Sequence, residues 1–196
     1  MLDVAVIEGA MAATLALDPI KARILSHLSE PQSSGSLAGP LGLARQKINY
    51  HLRALEQHGL VESVDERQWG GLTERRVVAT ATSYVVSPAA LGPIAADPAR
   101  SRDRLSASYL IALAGRTVRE VGALCKKAQQ GEQRLATLSV DAEIAFKSPA
   151  ERAAFTHALA SAVSALVARY HDEQAPGARR HRLVVASYPA PPTTKG

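Results

Sequence analysis

Apolar and polar positions follow two different periods along this chain, and the changes of period divide it. Residues 9–17, "GAMAATLAL", are apolar and helix-forming. In "DPIKARILSHL", Ile20, Ile24, Leu25 and Leu28 recur at the spacing of one helix face. Asp18 stands where a cap belongs and Pro19 at the first helical position. "SEPQSSG" reads as a loop, and "SLAGPLGL" as a short helix capped by Ser36 and ended by Gly42. In "LARQKINYHLRALEQHGLV" the helical period returns, with Ile48, Leu52 and Leu55 inward and His51 at the edge. Past Gly59 the period changes to two. "LVESVDER" and "ERRVVATATSYVVS" read as strands joined by the turn "QWGGLT", a hairpin with a long loop.

The Pro- and Ala-rich run "SPAALGPIAADPA", residues 87–99, reads as a linker. A long helix over roughly 100–131 follows, with Leu105, Tyr109, Ala112, Leu113, Val121 and Leu124 on its apolar face. In "LATLSVDAEIAFKS", Leu138, Val140, Ala142, Ile144 and Phe146 point one way, and Ser139, Asp141, Glu143 and Lys147 the other. Ser148, Pro149 and Glu151 then open a second long helix through a capping box. Its apolar residues are Phe155, Leu159, Val163, Leu166, Val167 and Tyr170. "HRLVVASY" reads as a last strand, and "PAPPTTKG" as a disordered tail.

The pattern predicts an α+β chain in four stretches. These are a winged helix-turn-helix over 1–86, a linker over 87–99, an α-β-α-β domain over 100–188 that serves dimerisation alone or dimerisation with effector binding, and a tail over 189–196. A strand–helix–strand order permits a parallel pair with a right-handed crossover.

Composition narrows the picture. Aromatics are only 4% of the 196 residues, so the core must rest on Ala, Leu and Val. The 23 Lys and Arg exceed the 18 Asp and Glu, for a formal charge of +5. A basic chain suits a polyanionic partner, but where the charge sits decides the matter. The single cysteine, Cys125, excludes an intramolecular disulfide and a Cys-rich zinc site; it reads as a small buried hydrophobe. No apolar run reaches ~18 residues and no basic leader precedes one, so a cytoplasmic protein without a membrane segment is expected.

Three helices followed by a hairpin make a winged helix-turn-helix, whose third helix enters the major groove. Its outward residues are Arg45, Gln46, Lys47, Asn49, Tyr50 and Arg53. Arg45, Gln46 and Asn49 are side chains that make paired hydrogen bonds to base edges. Lys47, Tyr50 and Arg53 suit phosphates. The hairpin adds Arg67, Trp69 near its tip, Arg75 and Arg76, with Glu66 and Glu74 offsetting part of that charge.

"LDPIKARILSHL", "GLARQKINYHLRALEQHGLVE" and the hairpin resemble the ArsR-type winged-helix transcriptional regulators over about residues 10–85. The run "HLRALEQHGLV" is the most specific part. The resemblance implies a homodimeric repressor that binds a palindromic operator in promoter DNA and is released by an effector. The metal-sensing members carry a cysteine pair beside the helix before the recognition helix. "SLAGPLGL" has none, so a small organic effector is expected and no metal. Ala44 departs from the family, which often caps the recognition helix with a hydroxyl residue.

Elsewhere the residues point away from catalysis. Asp141 and Glu143 share an exposed strand face, where carboxylates usually meet solvent or basic neighbours. His157, His171 and His181 match no compact metal motif. There is no glycine-rich phosphate loop and no nucleophile elbow. The expectation is a non-enzyme without a cofactor. Size alone nominates Tyr109, Phe146, Phe155 and Tyr170 for an effector pocket. The alternative reading is a winged helix used only for protein contact, its basic face merely solvated.

Overall fold

The computed structural model describes residues 1–69 and 72–191. It divides into two compact units, Met1–Ala136 and the residues from Thr137 onward. Unit 1 opens with β1 (Leu2–Ile7), α1 (Ala10–Leu17) and α2 (Pro19–Ser26). Then come β2 (Gln32–Ser33), α3 (Ser34–Leu41), α4 (Arg45–Gln57), and β3 (Val61–Trp69), β4 (Leu72–Ala79) and β5 (Ala81–Val86). Two short 3-10 helices, Pro88–Ile94 and Pro98–Arg100, lead to α5 (Ala107–Gln130).

Local chemistry sets these bounds. Asp18 accepts from the backbone N–H of Ile20 at 2.9 Å and of Lys21 at 3.0 Å, so α2 begins at Pro19 as its sequence dictates. α3 is capped by Ser33, and Ser36 closes the reciprocal half of a capping box; Ser36 had been expected as the cap itself. Gly42 ends α3 at φ 63°, a left-handed conformation that suits glycine. β3 and β4 pair antiparallel, and β2 adds to β4 through Gln32 opposite Val77. Ile24, Leu28, Leu37, Ile48, Leu55 and Val61 fill the space between the helices and this sheet, each nearly or wholly buried. Burying a side chain of this size contributes about 1.5–3 kcal/mol.

Three features of unit 1 differ from expectation. The return strand is broken at Thr80 into β4 and β5, because β5 leaves the hairpin and pairs parallel with β1, Val4 opposite Ser83. That N-terminal strand has no counterpart in the sequence reading. Residues 87–99 are not an open linker: Ser87 is buried and caps the first 3-10 helix, which packs on α1 and α5. The long helix starts at Ala107 under a Ser106 cap, not near residue 100. It lies against β1, so tightly that a Cβ on Gly122 would run into the Val6 side chain.

Unit 2 contains α6 (Pro149–Tyr170). Half of the expected capping box forms: Glu151 N–H donates to Ser148 Oγ at 3.1 Å, but the Glu151 carboxylate accepts from Lys147 N–H, at 2.6 Å, and not from that of the Ser148 cap. The strands expected at 138–146 and 181–188 do not form, so the α-β-α-β order is not realised within the single chain. A strand exists by its ladder, and neither segment has one here. Their alternating apolar side chains remain in solvent, Leu138 and Val140 each 87% exposed. The tail expected over 189–196 lies outside the described residues beyond Pro191, as does the turn at Gly70 and Gly71.

Candidate nucleic-acid interface

α4 is the most amphipathic of the short helices, and its two faces do different work. Ile48 and Leu55 are fully buried, with Leu52 and His51 nearly so, which clamps the helix onto α2, α3 and β3. Arg45, Gln46, Lys47, Asn49, Tyr50 and Arg53 are all exposed. The six side chains nominated from the sequence therefore share the outer surface of one rigid helix. Tyr50 is 70% exposed, a large apolar ring left in solvent beside polar neighbours. Ala44 takes the extended N-cap conformation, φ −61° and ψ 138°, but gives no side-chain cap.

His51 lies inside and not at the helix edge. It is 8% exposed, its ring meets Tyr50 edge-on at 5.5 Å, and neither ring nitrogen has a hydrogen-bond partner among the described residues. Burial depresses its pKa below the usual imidazole value, with Lys21 and Lys47 adding to the effect and Asp18 opposing it.

The hairpin runs beside α4. Arg75 and Arg76 are successive β4 residues and so face opposite sides of the sheet. Arg75 turns to α4, where it ion-pairs with Glu56 and donates to Ser63 Oγ at 3.1 Å. Arg76 donates to Asp65 Oδ1 at 2.8 Å. The offsetting acids are thus Glu56 and Asp65. Glu74 instead accepts from Ser33 Oγ at the start of α3. Arg67 lies opposite Glu74 in the register, while the side chains of Arg67, Trp69 and Glu66 fall outside the description.

Between α4, α3 and the hairpin lies a hollow of about 290 Å³. Ser34, Arg45, Gln46, Asn49, Arg53 and Arg75 form its rim, and Leu52 and Val77 its floor. Ser34, Glu56 and Ser63 were missed in the sequence. Nothing local marks them, because their role depends on the hairpin folding back over α4.

The four residues nominated for an effector are only partly brought together. The rings of Phe146 and Phe155 lie 5.3 Å apart, and Phe146 borders a shallow hollow of about 310 Å³ with Lys147, Ser148, Pro149 and Arg152. Tyr170 is 73% exposed beneath Arg169, and Tyr109 belongs to unit 1, in the first turn of α5. Among the described residues no cluster of three or more His, Cys, Asp or Glu could hold a metal, and no helix is long and apolar enough to cross a membrane.

Residues 16–64 match a family described as a helix-turn-helix domain, a stretch that runs from the end of α1 through α4 into β3. Among solved structures, the chain is similar to an ArsR-like transcriptional regulator from Rhodococcus sp. RHA1, at 25% identity and a TM-score of 0.33. That similarity covers 64% of this chain and 86% of the other. No curated protein matches the chain.

Proposed function

We propose that this chain, in which residues 16–64 match a helix-turn-helix domain, is a sequence-specific double-stranded DNA-binding transcriptional regulator of the ArsR type. It acts as a homodimer on a palindromic promoter operator and represses until a small organic effector releases it. One observation carries the DNA reading. The helix α4 exposes Arg45, Gln46, Lys47, Asn49, Tyr50 and Arg53 together, while four buried residues fix its axis. An α-helix presented in this way fits the major groove.

The wing joins the same surface through Arg75, with Arg67 and Arg76 further along the hairpin. Glu56 holds Arg75 in place on the α4 side, so it meets DNA as an ordered donor, while Asp65 holds Arg76 on the other side of the wing. The paired rings of Phe146 and Phe155 favour those two residues for effector contact over Tyr109 and Tyr170. An effector works if it prefers a dimer whose half-site spacing no longer matches one duplex turn, ~34 Å.

Selection of bound genomic fragments tests the proposal, followed by titration of the best fragment against a shuffled duplex. A strong preference for the selected fragment is expected. Weak, sequence-independent binding by a monomer would favour the protein-contact reading instead.

A further inference from the structure

We infer that the hollow between α4 and the hairpin seats one phosphodiester of the duplex backbone, with Arg45, Arg53 and Arg75 as its cations. The inference rests on the DNA-binding reading and deepens it. Arg45, Asn49 and Arg53 stand at i, i+4 and i+8, so Asn49 neighbours each arginine on the surface of α4. The three arginines rim one hollow, and Glu56 offsets only Arg75. Among the described residues neither Arg45 nor Arg53 has an ion-pair partner.

Two guanidinium groups without ion-pair partners on the rim of one depression give it a positive charge that suits an anion. Phosphate suits the site better than a carboxylate does. Its oxygens diverge toward several donors at once, and guanidinium forks match them two at a time. The Asn49 amide and the Ser34 hydroxyl supply neutral donors on the same rim.

Arg45 thereby moves from base reading to backbone holding. At 100° per residue, Gln46 projects furthest from the buried line of Ile48 and Leu55, and Tyr50 and Arg53 stand at equal angles on either side of it, Arg53 toward the hairpin. Arg45 sits on the flank toward the hairpin, the side on which Glu56 meets Arg75. Sequence discrimination falls to the crown, and register on the duplex to the flank.

The test compares wild type with the Arg45→Gln, Arg53→Gln double variant, on the selected fragment and on its shuffled duplex, across a salt series. The double variant should lose affinity by the same factor on both duplexes. Its slope of log K against log salt should shrink by about 0.9 per phosphate lost. Gln46→Ala should instead change the ratio between the duplexes. Inorganic phosphate, substituted for chloride at equal ionic strength, should compete with duplex in wild type and not in the double variant. The Arg45→Lys, Arg53→Lys variant keeps the charges and should retain most of the binding, and thermal melts establish that both variants fold.

A loss confined to the selected fragment, with an unchanged salt slope, overturns the phosphate seat and leaves the DNA reading standing. Phosphate binding by wild type with no effect on duplex affinity also overturns it, and assigns the hollow to a free anion. Failure of wild type to bind any duplex removes the DNA reading, and this inference with it.

Discussion

His51 shows how one residue ties stability to pH. Both its nitrogens are buried without hydrogen-bond partners among the described residues, so the fold favours the neutral ring. Its pKa is lowered in the fold, chiefly by burial, from an ordinary 6.5. The unfolded chain therefore takes up a proton first as pH falls, and stability drops from about 6.5 downward until the folded ring protonates too. Urea unfolding of wild type should weaken measurably between about pH 7.5 and about pH 5.5, and His51→Leu should reduce that slope. An equal slope in both proteins would place the titrating group elsewhere. Because His51 shares α4 with the outward residues, DNA affinity should weaken over the same range. The sequence put this histidine only at the helix edge. Periodicity gives the side of a helix a residue faces, but not how far the neighbouring elements cover it.

At the scale of elements, caps and close contacts make the sharpest forecasts. α4 lacks a side-chain cap although Ala44 already holds the extended N-cap backbone. Ala44→Ser should therefore stabilise by ~1 kcal/mol, read as a rise in melting temperature, with no loss of duplex binding. At the other end of unit 1, Gly122 admits β1 against α5, and Gly122→Ala should destabilise by ~1–3 kcal/mol in a thermal melt. α2, α3, α4 and the hairpin were legible because each announces itself locally, by a cap, a helical face or an alternation. β1 was not. "LDVAVI" is too short to read alone, and its partner β5 lies more than seventy residues on. The hollow was half legible. Helical spacing gave Arg45, Asn49 and Arg53, but the contribution of Arg75 needed the fold-back of the wing.

For the whole molecule, the question is what completes unit 2. None of its described residues is buried, and Leu138, Val140, Leu166, Val167, Leu183 and Val185 stand largely in water. A unit this small needs most of its apolar surface covered to be stable. The unpaired 138–146 and 181–188 segments retain the alternation of strands, so they can add to a second copy's segments as edge strands do. Asp141 and Glu143 on one segment, with Arg180 and Arg182 opening the other, give each copy both halves of a complementary pair, the arrangement a two-fold interface requires. A stable interface needs about 800 Å² from each partner, and the exposed residues of this unit are the natural source of it. Light scattering on the purified chain should give twice the 20.7 kDa monomer mass. Val140→Asp with Leu166→Glu should shift it to the monomer while leaving unit 1 folded by circular dichroism. That monomer should keep weak, salt-sensitive duplex binding and lose most of its preference for an operator with two half-sites, because the second half-site is then no longer bound by a linked subunit. A variant that stays dimeric, or a monomer that keeps full operator affinity, would move the dimer contact out of unit 2.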